Sequence, residues 1–315
     1  MRKLAVSTSP HIQTHLSTPR IMADVLIALA FPAIASVILY GITALLIIGV
    51  CVASSVLAEF LFNLAVKKKQ TVGDLSAAVT GLILALSLPA TVKIWQCVIG
   101  AVFAIVIVKC VFGGLGQNFA NPAATARVFL VLSFAEVGGG VATSFMKPEL
   151  VGSATPLEIL KLPSFEGLPS LADMLLGNRA GAIGEGCIIA IALGFIYLVA
   201  RRVIKWEVPV IYVGTVFLLA LILQGDFELA LYQVLAGGLV FAAVYMATDY
   251  VTTPINRGGR AVFALGAGVI TVFIRIFGAY PGGVSFAILI MNILSPYIEK
   301  MCRRRPLGGL KNVKK

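Results

Sequence analysis

The stretch IMADVLIALAFPAIASVILY runs from Ile21 to Tyr40. Gly41 follows, then ITALLIIGVCVASSVLAEFLFNLAV from Ile42 to Val66, closed by Lys67-Lys68-Lys69. Each run reaches the roughly 20 residues that an α-helix needs to cross a bilayer. Gly41 leaves room for a tight turn only, so the two runs read as a transmembrane hairpin anchored by the lysines. The same pattern continues along the chain. Further apolar runs cover Thr71–Leu88, Ile94–Phe112, Ala124–Val141, Ile183–Ala200, Val208–Leu223, Ala230–Ala247, Ala261–Phe277 and Val284–Ile298. The expectation is an all-α polytopic membrane protein of about ten spans, although several runs are short for an untilted helix.

Composition agrees. Of 315 residues 59% are hydrophobic and only 12% charged, against about 25% charged in soluble domains. The net charge of +11 does not gather on one face, as nucleic-acid binding would require, but punctuates the apolar runs. Nucleic acid is therefore not an expected partner. The two histidines, His11 and His15, lie in the N-terminal tail, and the five cysteines include no C-x-x-C pair. That excludes a histidine-built metal or haem site in the membrane and an iron–sulfur pattern. The first twenty residues are polar and carry Pro10 and Pro19, unlike a cleavable signal peptide.

Cationic residues orient the spans. With both termini in the cytoplasm, 20 Lys and Arg fall inside, Lys109 and Arg127 among them. Five fall outside: Lys93, Lys147, Lys161, Arg179 and Arg275. This inside-positive bias places the polar segment 143–182 on the outer face of a prokaryotic plasma membrane. The chain then divides into a cytoplasmic tail 1–20, a first five-helix half 21–142, the outer segment 143–182, a second half 183–299 and a basic cytoplasmic tail 300–315. Halves with an odd number of spans have opposite orientations, so if they are repeats they are inverted repeats. Glycine-rich interruptions precede the fifth run (from Gly113) and the tenth (from Gly278), and broken helices at matching places point to a site near the midplane.

Several motifs carry candidate chemistry. In GQNFANPAATARVF, Gly116 to Phe129, the amides of Asn118 and Asn121 are costly in hydrocarbon unless they bond something. They either cap a broken helix or bind a polar ring or an ion. Asp24, Asp74, Asp249 and Glu299 sit at the inner ends of runs and are ion-path candidates, or else ordinary paired end charges. Asp249 belongs to MATDYVTTP, Met246 to Pro254, a hydroxyl-rich break in the chain. In the outer segment, Thr155-Pro156-Leu157-Glu158 is a capping box: Thr155 as N-cap, Pro156 at the first helical position, Glu158 reaching back.

Taken in order, GGLGQNFANPAATARVF, GSATPLE, MATDYVTTP and YPGGVSFAILIMNILSP resemble one integral-membrane family over residues 20 to 300. It comprises the D subunits of Rnf electron-transport complexes (RnfD) and the related B subunits of the sodium-pumping NADH:quinone reductase. The resemblance implies FMN joined through its phosphate to the hydroxyl of Thr155, with Ser153 and Ala154 before it, and a flavin transferase that takes the FMN from FAD. Here Glu149 stands where the family usually has Asp, and Gly152 where it has Ser or Thr. A non-covalent riboflavin near the inner face is implied too, with Asn118, Asn121 and Asp249 as candidates for it or for cation entry. The implied activity is electron relay in a complex that couples ferredoxin and NAD⁺ to Na⁺ or H⁺ translocation, with other membrane and peripheral subunits as partners. A secondary transporter or channel built from inverted repeats, with no redox role, is the competing expectation.

Overall fold

A computed structural model describes residues 17–134, 137, 155–161, 167–278 and 282–302. Among these residues the chain is helical and forms no sheet. Helices α1 (Thr18–Tyr40) and α2 (Ile42–Ala65) form the first hairpin, with Gly41 at φ 64° between them. The first half continues with α3 (Ser76–Ser87), α4 (Ile94–Cys110) and α5 (Pro122–Ser133). Two short helices, α6 (Pro156–Ile159) and α7 (Leu171–Leu176), belong to the connecting segment. The second half is α8 (Ile188–Ala200), α9 (Glu207–Gln224), α10 (Phe227–Leu235), α11 (Leu239–Tyr245), α12 (Arg257–Phe277) and α13 (Val284–Met301).

Five of these, α1, α2, α9, α12 and α13, are long and apolar enough to cross a membrane, and α10 with α11 qualifies as one span bent by 52°. Helices α3, α4, α5 and α8 are apolar but shorter. Counted together these are the ten apolar segments expected. Their pairing recurs in the two halves. In each, the second segment packs on the third and the fourth, the first on the third, the third on the fifth, and the fourth on the fifth. The halves meet through α1 against α8 and α5 against α13.

The structure moves the interruptions. Helices α5 and α13 do begin after glycine-rich loops, but the breaks inside spans are at the third segment of each half. In the first half, a 3-10 turn at Val72–Asp74 is set off from α3 by Leu75 at φ 64°. In the second, Gly237 at φ 64° separates α10 from α11, inside what reads in sequence as the unbroken run Ala230–Ala247. The broken end leaves carbonyls that need donors in a setting without water. Two arginines supply them. Arg275 on α12 donates to Gln233 O and, at 3.2 Å, to Ala236 O; Arg179 donates to Leu235 O and, at 2.7 Å, to Glu185 O. Two cations at a helix C-terminus also oppose its negative dipole end.

A second local compensation ties the halves together. Pro32 lies within α1 and has no N–H for Ala28 O. The Tyr245 hydroxyl on α11 donates to that carbonyl at 3.0 Å instead. It reaches there because residue 194 on α8 is glycine: a Cβ at that position would lie 1.9 Å from the Tyr245 oxygen.

Candidate functional site: three neighbouring clefts

Thr155 forms the capping box that its spacing predicts. Its N–H donates to Glu158 Oε2 at 2.7 Å, and its Oγ1 accepts from Glu158 N–H at 3.4 Å. The hydroxyl bond is long, so this oxygen is weakly held. Helix α6 is a single turn, which limits any dipole it offers an anion. Ser153 and Ala154, with Glu149 and Gly152, fall outside the described residues, as do both histidines.

Thr155 opens onto an outer cleft of about 560 Å³, open mouth included, lined also by Glu158, Ala182, Glu185, Arg127 and Gly237. A deeper cleft of about 610 Å³ shares Arg127, Glu185, Gly238 and Gly282 with it and continues to Phe241, Met246 and Phe286. Those shared residues form the neck. Two of the four are glycines: a Cβ on Gly238 would lie 2.2 Å from Glu185 Oε1, and beside them a Cβ on Gly237 would lie 2.5 Å from Leu157 Cδ1. The Glu185 carboxyl lies within electrostatic reach of the Arg127 and Arg179 guanidiniums. Arg127 Nη1 is buried without a hydrogen-bond partner. Thr155, the glycines of the neck and the unpartnered Arg127 Nη1 therefore face adjoining clefts.

Arg127 faces the cleft that Thr155 opens onto. Lys109 is no solvated end charge. It is buried against Glu59 (Nζ to Oε1 3.0 Å) and donates to Ser76 Oγ at 2.5 Å.

The deeper cleft ends at Met246, whose carbonyl accepts from Asn121 Nδ2 at 3.1 Å. Beyond that bond lies an inner cleft of about 750 Å³ lined by Asn118, Asn121, Lys109, Thr248, Asp249 and Tyr250, among others. Asn121 spends its Oδ1 on the cap of α5, accepting from Ala123 N–H at 3.0 Å and Ala124 N–H at 3.2 Å. Asn118 donates to Ala120 O at 3.0 Å. Both amides thus serve the backbone while lining the cleft. Asp249 accepts from Thr252 Oγ1 at 3.0 Å, and burial pushes its carboxyl up against that bond and the Val251 and Tyr250 amides.

The other acidic candidates are not brought together. Asp24 pairs with Arg201 at 3.3 Å and accepts from the Tyr197 hydroxyl at 3.0 Å. Asp74 accepts from Ser76 N–H at 2.8 Å, beside the inner cleft. Glu299 lies near the end of α13 and is not among the residues lining these clefts. Sequence reasoning passed over Glu59, Arg127 and Glu185. A signal existed for Glu59: Cys51, Ser55, Glu59 and Asn63 are buried at four-residue spacing along one face of α2. Lys109 likewise sits in a π-helical stretch, Phe103–Cys110, and such stretches are frequent at functional sites.

The fold is that of a polytopic helical membrane protein with two similarly packed halves. The chain belongs to the NQR2, RnfD, RnfE family, whose profile matches residues 5–308. It is 41% identical to the D subunit of the Na⁺-translocating ferredoxin:NAD⁺ oxidoreductase complex of Acetobacterium woodii, over 99% of this chain and 97% of that protein. It is 38% identical to the proton-translocating counterpart of Clostridium ljungdahlii, over 96% of each chain. It is 31% identical to the D subunit of the ion-translocating oxidoreductase complex of Methanosarcina acetivorans, over 99% of this chain and 100% of that protein.

Proposed function

We propose that this chain is the D subunit of an ion-translocating ferredoxin:NAD⁺ oxidoreductase and that it carries FMN through a phosphoester on Thr155. The observation that carries the flavin assignment is Thr155 at the mouth of a cleft whose neck is glycine-walled and faced by the unpartnered Arg127 Nη1. Bound there, FMN would supply one-electron steps between two-electron and one-electron carriers. The chain's own residues do the rest. Thr155 tethers the phosphate, so a cofactor on the outer face is not lost by dilution. Gly238 and Gly282 let a planar ring pass the neck. Arg179 and Arg275 hold the broken end of α10 in place, which keeps the neck open. The bond between Asn121 and Met246 forms the partition to the inner cleft. That cleft is our candidate for a non-covalent riboflavin or for cation entry at Asp249.

The partners in this account are the other membrane and peripheral subunits of an Rnf-type complex, a flavin transferase for maturation, and Na⁺ or H⁺. The termini and the inner cleft lie on the cytoplasmic side and Thr155 on the outer side. The chain is not catalytic alone. The test is denaturing electrophoresis of membranes from a host with the flavin transferase. The wild-type chain gives a yellow-green fluorescent band that Thr155→Ala abolishes and Thr155→Ser retains. A dark wild-type band contradicts the flavin assignment and leaves a transporter without redox chemistry.

A further inference from the structure

We propose that Arg127 is a positioning residue for the flavin ring, placing its Nη1–H donor and its positive charge against the part of the ring that becomes negative on reduction. This rests on the flavin assignment above and adds a role that the tether does not supply.

Three arginines lie within electrostatic reach of Glu185, and two are already used. Arg179 and Arg275 donate to the carbonyls Leu235 O, Gln233 O and Ala236 O at the broken end of α10. Their charge is spent on that helix terminus. Arg127 differs, because its Nη1 is buried and makes no hydrogen bond. Leaving a buried guanidinium N–H unpaired is costly, so its retention points to an occupant that accepts from it. Glu185 is close enough to act on the charge of Arg127, yet Nη1 remains unpartnered.

The occupant's identity follows from position. Thr155 lines the outer cleft and not the deeper one, whereas Arg127 lines both. A phosphate tied to Thr155 stays in the outer cleft, and the ribityl chain carries the ring inward to the neck. There Gly238, Gly282 and Gly283 line the cleft beside Arg127 and Glu185, with Phe241 and Phe286 also in its lining. These offer flat, side-chain-free or aromatic surfaces to a planar ring. Arg127 is the donor at that level. Reduction adds negative charge to the pyrimidine side of the ring, and a fixed cation in a water-poor site stabilises it more than water would.

The test uses the purified complex and redox titration of the flavin absorbance, with Arg127→Gln and Arg127→Lys. In-gel fluorescence is recorded first, and both variants keep the covalent flavin. Arg127→Gln then lowers the flavin midpoint potential by at least the equivalent of a tenfold loss in preference for the reduced form, about 59 mV for a one-electron couple. Arg127→Lys keeps the charge and stays nearer the wild-type potential. An unchanged potential in Arg127→Gln overturns the proposal, and so do equal shifts in both variants, since those report repacking. Loss of the fluorescent band in Arg127→Gln alone also overturns it, by assigning Arg127 to attachment. A wild-type chain without flavin refutes the earlier assignment instead.

Discussion

Lys109→Met should be among the most damaging single changes on the inner side. Lys109 and Glu59 side chains are 3% and 2% exposed, with Nζ 3.0 Å from Oε1. At an effective dielectric of about 20, two charges at that distance attract by about 5 kcal/mol, offset by what it cost to bury them. Removing the lysine keeps the burial cost and loses the attraction. The stranded carboxylate keeps the Thr71 hydroxyl at 2.7 Å on Oε1, while Oε2 has no hydrogen-bond partner. The expected loss is about 3–5 kcal/mol, the range for breaking a buried pair on one side. The double variant Glu59→Gln/Lys109→Met removes both charges and should recover most of it. Thermal denaturation of the detergent-solubilised complex, followed by loss of the monodisperse peak, reads this as a drop on the order of ten degrees for the single variant. If the single and double variants melt together, or the single variant melts with wild type, the pair is not a coupled buried ion pair.

Other consequences follow from the same contacts. Arg275→Met strips the donors from Gln233 O and Ala236 O, so it should cost about 2–5 kcal/mol and loosen the neck; limited proteolysis near residues 236–238 would show new cleavage. Gly194→Ala places a methyl where the Tyr245 oxygen sits, so it should lower the melting temperature more than Tyr245→Phe, which loses only the hydroxyl. Asp249 has its carboxyl raised by burial. Above the ordinary Asp value of about 3.9 the unfolded chain releases this proton before the folded one does, so stability falls as pH rises through that window. Asp249→Asn lacks this term. Its melting temperature should gain on wild type as pH rises from about 4, and a pH-independent gap would contradict the burial. The same variant should weaken the Na⁺ dependence of turnover, and an unchanged dependence removes Asp249 from the ion path.

The features legible in sequence were those set by local chemistry. Hydropathy located the ten apolar segments, and the Thr155–Glu158 spacing gave the capping box. Boundaries failed where tertiary contacts decide them. Helix α3 begins at Ser76, not at Thr71, because Leu75 turns left-handed. The break in the eighth run was written as Gly237-Gly238 but masked by its apolar flanks, because glycine pairs are also common packing residues in membrane helices. It is stabilised by Arg179 and Arg275, which come from other elements. The place of Arg127 at the Thr155 cleft was not legible for a related reason. A lone charge within an apolar stretch has no local address, and only the fold shows that it turns toward Glu185 and the Thr155 cleft. Asp24, read as an end charge or an ion-path residue, is paired with Arg201 across the two halves, a partner 177 positions away.

The most direct measurement is the intact mass of the chain isolated from a host that makes the flavin transferase, followed by peptide mapping. The expected result is an increase by one FMN less one water, confined to the peptide that contains Thr155 and absent in Thr155→Ala. A chain at its unmodified mass, or a flavin mapped to a different peptide, would contradict the assignment of Thr155 as the tether.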